Sequence, residues 1–255
     1  MDTDVRTQKG LGVTLRQDNW WGEPLAIASA LITFIVYMTW AALTPTGPHG
    51  EIWYKWGSYI SPAFSPYISP SWFKWSPAIL ILWAPAGFRA TCYYFRKAYY
   101  RAFFQDPPGC AVGEEAREYK GETSFPFILQ NLHRYFLYLA ILLVINHWID
   151  LAYAFTKEGP KTYYVGVGTL VLLVDTILLT FYVGSCHAWR HLVGGKLDCF
   201  SSCPSNNIRY KIWCNVTKIN ETHGFWAWAS LFTVGFADLY VRLVAMGVWT
   251  DYKIF

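Results

Sequence analysis

The stretch Leu25–Leu43, LAIASALITFIVYMTWAAL, runs for nineteen residues without an Asp, Glu, Lys or Arg. A helix needs roughly 20 mostly apolar residues to cross the hydrocarbon core of a bilayer, which is about 30 Å thick. We therefore predict a transmembrane helix here. The polar lead before it has no small-residue cleavage pattern, so residues 1–24 are predicted to be a cytoplasmic lead and not a signal peptide.

The composition of the whole chain agrees with this prediction. Of its 255 residues, 54% are hydrophobic, 19% are aromatic and only 15% are charged. A typical soluble domain carries about 25% charged residues. These proportions argue against a disordered chain, a nucleic-acid-binding module and an ordinary cytosolic enzyme. Nucleic acid is accordingly not among the predicted partners, whereas membrane lipid is.

Four more apolar segments follow the first. Together the five predicted spans cover about residues 25–43, 75–96, 130–154, 163–189 and 224–250. The predicted fold class is all-α, with residues 25–255 forming an integral membrane bundle of five transmembrane helices. The predicted location is the cell membrane, as a multi-pass protein.

The basic residues predict the orientation, because cytoplasmic loops carry an excess of Lys and Arg. The lead holds three, and the second and fourth loops hold five each, so one side carries thirteen. The opposite side carries five, and three more lie inside spans. The N-terminus is therefore predicted in the cytoplasm and the C-terminus outside.

This orientation places all six cysteines on the cytoplasmic side: Cys92, Cys110, Cys186, Cys199, Cys203 and Cys214. Structural disulfides are rare in that reducing compartment, so the cluster indicates metal or redox chemistry. Histidines join them, since His187 and His191 are four residues apart and share one helix face. His133 and His223 begin the third and fifth spans on the same side.

Two of the metal sites that these residues allow are a zinc site and a haem b site. Cys199, Cys203 and the two neighbouring histidines could hold zinc, but C-x3-C after H-x3-H matches no common zinc module. Haem b needs one His from each of two facing helices, a pair that His133, His187 and His223 could supply.

The third candidate is a Rieske-type [2Fe–2S] cluster, in which two thiolates bind one iron and two imidazoles the other. Cys92, Cys110, His187 and His191 would provide that set, with Cys186 as an alternative thiolate. Residue spacing does not choose among the three sites.

Ionisable residues inside the spans suggest two further roles. Asp238 and Arg242 are four residues apart, so we predict a structural ion pair along one helix face. Arg89, His133 and Arg134, together with Trp side chains, would line a cytoplasmic-side pocket suited to a quinone. The carbonyl oxygens of a quinone need hydrogen-bond donors.

Several segments of the chain resemble the actinobacterial-type, cytochrome-b-like membrane anchor of succinate dehydrogenase and fumarate reductase. They are Arg89–Arg101 (RATCYYFRKAYYR), Pro107–Val112 (PPGCAV), Leu129–Phe136 (LQNLHRYF), Ser185–His191 (SCHAWRH) and Asp238–Val244 (DLYVRLV). The lead, with Thr14-Leu15-Arg16 and Trp20-Trp21, is similar too. The similarity runs from about residue 14 to the C-terminus.

The resemblance implies a membrane anchor that docks a flavoprotein and an iron–sulfur subunit on its cytoplasmic face. Electrons from succinate would pass to menaquinone held in this chain, through a Rieske-type cluster in a haem-free anchor. The resemblance implies Cys92, Cys110, Cys186, His187 and His191 as ligands, and we add Trp20 to the quinone contacts Arg89, His133 and Arg134. The resemblance does not decide whether the complex contains a further small membrane subunit or forms a homotrimer.

Two other functions are compatible with the sequence. The first is a haem b-binding anchor or transmembrane cytochrome. The second is a polytopic transporter, which would predict an inverted repeat and a polar site at the membrane midplane. The chain has no such repeat, and its ligand-capable residues gather on one side of the membrane instead.

Overall fold

The computed structural model describes residues 10–115, 123–125, 127–156, 163–194 and 208–254. Its long elements are helical, and one two-stranded antiparallel hairpin is formed by β1 (Lys55–Trp56) and β2 (Tyr59–Ile60). The α-helices are α1 (Gly22–Leu43), α2 (Ile79–Ala90), α3 (Tyr93–Tyr99), α4 (His133–Ala154), α5 (Val167–Gly184), α6 (His187–Gly194), α7 (Ile208–Asn220) and α8 (His223–Ala245).

Four helices of the described residues are long and apolar enough to cross a membrane: α1, α5, α8, and α4 with the 3-10 turn Phe127–Leu132 before it. These helices expose large apolar side chains such as Ile35, Leu142 and Phe232, each more than half exposed. In water this surface would be costly. It is the surface that a helix presents to lipid.

The structure departs most from the prediction at the second span. The sequence predicts one helix over 75–96, but α2 has only 12 residues and ends at Ala90. Twelve residues rise about 18 Å, which is less than the hydrocarbon thickness. Cys92 then takes an extended backbone conformation and starts α3. The count of five spans is therefore not confirmed and stays a prediction, as does the orientation of the termini.

The fourth and fifth predicted spans are also longer than the helices found. The helix predicted over 163–189 is broken at Ser185 and Cys186, so that His187 begins a separate helix, α6. The last span ends at Ala245 instead of residue 250 because Gly247 turns the chain with a φ of 72°. Glycine adopts this left-handed conformation without steric cost.

The chain divides into two compact units. The first contains the described residues up to Val36 and from Arg89 to His133. In it the lead pairs with a later loop, since the Gly12 amide donates to the Gly113 carbonyl at 2.8 Å. The Thr14 hydroxyl also donates to the Ala111 carbonyl at 2.8 Å. The lead is thus fixed beside the loop that carries Cys110.

The second unit contains the described residues from Tyr37 to Phe88 and from Arg134 onward. Within it α5 packs along α8. Its apolar core joins the hairpin to the ends of α4, α5 and α8 through Tyr59, Leu151, Ala154, Tyr164, Leu172, Ala237 and Val241.

A nearly buried carboxylate, Asp251, fixes that end of the second unit. It accepts hydrogen bonds from the hydroxyls of Tyr59, Tyr164 and Tyr240 at 2.7–2.9 Å and from the Gly168 amide at 2.8 Å. Burial by itself raises the pKa of Asp251, but the hydrogen bonds outweigh it and hold the pKa below its usual range.

Asp251 is expected to make the protein sensitive to acid. The pKa of Asp251 is lower in the folded than in the unfolded chain. The charged carboxylate therefore contributes its full stabilisation above the unfolded-state pKa of about 3.9. This stabilisation is lost as the pH falls through the pKa of the folded state. The melting temperature of the purified complex, followed from about pH 6 down to pH 3, should drop below about pH 4. Asp251→Asn should flatten this drop and lower the free energy of unfolding by about 1–3 kcal/mol at neutral pH. Equal pH profiles for the two proteins would contradict this.

Candidate functional site

Two imidazoles on α6 form a close pair of potential metal ligands. Nε2 of His187 lies 3.1 Å from Nε2 of His191, and the two rings are nearly perpendicular, at 87°. Both side chains are exposed. Partial burial lowers the pKa of His187, and the positive charges of His191 and Arg190 lower it further. A lowered pKa favours the neutral imidazole, which is the form that binds metals.

The separation of the two nitrogens fits ligation of one metal ion. Imidazole nitrogens bind at about 2.0–2.1 Å, so two of them on one metal, roughly 90–110° apart, are separated by about 2.9–3.4 Å. The 3.1 Å between His187 and His191 lies in this range, and it is also the length of the hydrogen bond that the two rings make with each other. The pair fits the two-imidazole half of a Rieske-type cluster.

The α7 helix holds α6 from one side. The Arg190 guanidinium donates from Nε to the Thr217 hydroxyl at 2.9 Å and lies 4.7 Å from the centre of the Trp213 ring. Arg209 donates to the Leu192 carbonyl at 3.2 Å, near the end of α6, where carbonyl groups lack partners within the helix. The exposed imidazoles are thus carried on a helix with several fixed contacts.

The cysteines predicted as ligands lie in both units. Cys92 is 2% exposed at the break between α2 and α3, in the first unit. Cys110 is exposed in the same unit, and Arg101 Nη2 lies 3.3 Å from its Sγ atom. This positive charge would complement a metal-bound thiolate. Cys186 belongs to the second unit and is 1% exposed just before His187.

The predicted ligand set is therefore divided, with Cys92 and Cys110 in one unit and Cys186, His187 and His191 in the other. Within the part of the chain that the structure describes, no group of three or more His, Cys, Asp or Glu side chains is arranged to hold a metal ion. Cys199 and Cys203 lie outside the described residues, and Cys214 is half-buried on α7.

Three of the predicted quinone contacts lie in the first unit. The Arg89 guanidinium is 5.4 Å from the centre of the Phe95 ring, and His133 Nδ1 is 2.9 Å from the Thr91 hydroxyl. Trp20 lies close to Gly109, since a Cβ added there would be 3.5 Å from its ring. Arg134 belongs to the second unit, where it is exposed in the first turn of α4.

Asp238 and Arg242 form a fully buried polar cluster in the second unit. Arg242 Nε lies 3.5 Å from Asp238 Oδ2, and the two side chains are 1% and 0% exposed. Asp238 also accepts hydrogen bonds from Tyr37, at 2.5 Å, and from Ser61. Arg242 donates to the carbonyls of Ala41 and Thr44 at 2.8 and 2.7 Å. The pair thereby joins α8 to the end of α1 and to the segment after the hairpin.

The histidines considered for haem have specific neighbours. His223 is 2% exposed, stacks on Tyr182 with ring centres 5.2 Å apart, and has Nδ1 2.7 Å from the Ser185 hydroxyl. His133 faces Thr91 in the other unit. No role was predicted for Ser185, Asn220 or Arg101, although Ser185 and Arg101 lie in segments that carry the family resemblance. Asn220 belongs to no quoted motif, and its contact with Ser185 has no signal in the local sequence.

These features define a class of protein: a multi-span helical membrane protein that carries potential metal ligands and ionisable residues at helix ends. The family model described as actinobacterial succinate dehydrogenase subunit SdhC matches residues 22–247. The chain therefore belongs to this family and is a membrane-embedded subunit of a succinate dehydrogenase complex, an oxidoreductase. The resemblance inferred from the sequence is confirmed.

A solved structure agrees with this assignment. A chain of the structure "Mycobacterium smegmatis Sdh1 complex in the apo form" is 38% identical to this one, with a TM-score of 0.80. The match covers 95% of this chain and 94% of that chain. The comparison with curated proteins found no match. The partner subunits of this chain are those of a succinate dehydrogenase complex.

Proposed function

We propose that this subunit passes electrons from a docked iron–sulfur subunit to menaquinone through its own Rieske-type [2Fe–2S] cluster. The observation that carries the proposal is the separation of 3.1 Å between the Nε2 atoms of His187 and His191, which suits two ligands of one iron. The thiolates would come from Cys92 and Cys110, with Cys186 as the alternative. When bound, such a cluster accepts and releases one electron at a time.

Menaquinone reduction needs two electrons and two protons, and the first unit holds groups suited to the quinone. Arg89 and His133 offer N–H donors for its carbonyl oxygens, and Trp20 an aromatic surface for its rings. The Thr91 hydroxyl, 2.9 Å from His133 Nδ1, orients that imidazole. Arg134, in the first turn of α4, is proposed as a further quinone contact.

We propose five membrane crossings, with the N-terminus in the cytoplasm and the C-terminus outside. The segment of α2 and α3 would make the second crossing, since α2 alone is too short. The flavoprotein and iron–sulfur subunits would dock on the cytoplasmic face, where the basic loops can meet acidic surfaces. The division into a lead of residues 1–24 and an anchor of residues 25–255 belongs to the same proposal.

The decisive experiment compares the spectra of the purified, intact complex. Electron paramagnetic resonance should show a Rieske-type signal in addition to those of the partner's clusters, and iron and acid-labile sulfide should exceed what the partner holds. The signal should disappear in Cys110→Ala. Sharp haem bands in a reduced-minus-oxidised visible spectrum, without that signal, would instead favour a haem b anchor.

The quinone site can be tested at Arg89. Arg89→Leu should raise the KM for a menaquinone analogue roughly tenfold, because a charged hydrogen-bond donor contributes about 1.5–3 kcal/mol. Succinate oxidation with a soluble acceptor that takes electrons from the flavoprotein should stay unchanged. Lys97→Leu, which removes another basic residue from this region, is the control. An unchanged KM in Arg89→Leu would remove Arg89 from the site.

A further inference from the structure

The break between α5 and α6 determines where the imidazole pair lies. α5 ends at Gly184, and α6 begins at His187, so only Ser185 and Cys186 separate them. Both of these residues are buried, at 0% and 1% exposure. The Ser185 amide still bonds to the Phe181 carbonyl of α5, while the Cys186 carbonyl already accepts the Arg190 amide of α6. The chain therefore changes from one helix to the next within two residues.

Two side chains from a distant part of the sequence hold Ser185 at this break. Asn220, the last residue of α7, donates from Nδ2 to the Ser185 carbonyl at 2.6 Å. Nδ1 of His223, the first residue of α8, lies 2.7 Å from the Ser185 hydroxyl. The last carbonyl groups of a helix lack partners within it, so the Ser185 carbonyl needs a donor such as Asn220. The Ser185 hydroxyl also donates to the Tyr182 carbonyl of α5 at 3.2 Å. The His223 ring is fixed in turn by stacking on Tyr182.

The position and direction of α6 depend on its contacts with other parts of the chain. It has eight residues, and helices shorter than about 12 residues are marginal without tertiary contacts. Its first turn is connected through Cys186 to Ser185, and Arg190 and Arg209 tie the rest of it to α7. The orientation of His187, the first residue of α6, therefore depends on how Ser185 is held as well as on the contacts with α7.

We infer that Asn220 and His223 are positioning residues that act through Ser185 to aim the imidazoles of His187 and His191 at one metal ion. The inference rests on the proposed function, because it concerns the ligands of the proposed cluster. Outer contacts of this kind orient metal ligands, and their removal commonly costs about 10–100-fold in metal affinity or activity. None of the three residues would touch the metal.

Ser185→Ala and Asn220→Asp test the inference in the intact complex. The first removes the hydroxyl, which faces His223 and also donates to the Tyr182 carbonyl at 3.2 Å. The second replaces an amide donor by an acceptor of the same size. Each is expected to release iron from the cluster roughly 10–100-fold faster under chelator challenge and to shift its paramagnetic signal. Ser185→Thr keeps the hydroxyl and should restore the wild-type signal. Asn215→Asp, at an exposed position of α7, should leave both measurements unchanged.

Hydrogen exchange of the α6 amides gives a second readout that needs no cluster. Exchange over residues 188–194 should speed up in Ser185→Ala and Asn220→Asp but not in Asn215→Asp. If the wild-type complex shows the Rieske-type signal and both variants keep it, with unchanged iron release, the positioning inference is wrong and the proposed function stands. If the wild-type complex has no such signal, the proposed cluster is wrong. In that case, unchanged hydrogen exchange of the α6 amides in the two variants would also show that Asn220 and His223 do not hold α6 in place.

Discussion

Replacement of His187 by Ala is expected to abolish menaquinone reduction by the complex while leaving succinate oxidation intact. The proposed cluster would lose one of its two imidazole ligands, and electrons would no longer reach the quinone from the partner's clusters. Loss of a direct ligand should cost at least the 10–100-fold typical of outer contacts, so we expect a drop of about 100-fold or more. His191→Ala should behave in the same way, because its Nε2 atom completes the pair.

Two assays and one spectrum check this expectation. Succinate oxidation is followed with a soluble acceptor that takes electrons from the flavoprotein, and then with a menaquinone analogue. Only the second activity should fall, together with the Rieske-type signal. His49→Ala, which removes an exposed histidine from the loop after α1, is the matched control and should change neither. Near-normal quinone reduction in His187→Ala would show that this imidazole is not a ligand on the electron path.

Replacement of Asp238 by Ala is expected to destabilise the subunit by about 3–5 kcal/mol, because Arg242 would keep a buried charge without its counter-ion. Arg242 is only 1% exposed, so its guanidinium cannot turn to water without disrupting the packing of α8 against the end of α1. Tyr37 and Ser61 would also lose the acceptor of their hydrogen bonds.

The melting temperature of the purified complex and the yield of assembled complex measure this effect. Glu221→Ala removes an exposed carboxylate near the start of α8 and should leave both unchanged. The double replacement Asp238→Leu with Arg242→Met should recover most of the lost stability, since an apolar pair of similar volume avoids the buried charge. A single Asp238→Ala variant as stable as the wild type would show that the pair contributes little to the fold.

The sequence was sufficient to predict most of the membrane helices. Inside a bilayer the backbone amides and carbonyls of a single span must form hydrogen bonds within that span. A long apolar segment satisfies this requirement by forming a helix. α1, α4, α5 and α8 all fall within or close to the predicted spans. The family could also be inferred, because several segments, among them Ser185–His191 and Arg89–Arg101, resemble its members in combination.

The breaks between helices could not be predicted from the sequence. No Gly or Pro lies within two residues of Cys92, and the single Gly184 before Ser185 is a weak signal because helices tolerate an isolated glycine. α5 ends at Gly184, and the carbonyl of the next residue, Ser185, accepts a hydrogen bond from Asn220, 35 residues later in the chain. Such a contact depends on the folding of α7 and α8 and has no signature in the local sequence.

By itself the sequence determined that this chain is a helical membrane subunit with an ion pair at Asp238 and Arg242 and a histidine pair at His187 and His191. Apolar run length and a spacing of four residues suffice for those conclusions, because both follow from the geometry of a single helix. Only the tertiary structure shows that the Nε2 atoms of His187 and His191 lie 3.1 Å apart on a short separate helix, α6. It also decided that the ion pair is closed off from water by the end of α1 and the segment after the hairpin. Those features depend on contacts between segments far apart in the chain, which local sequence patterns do not encode.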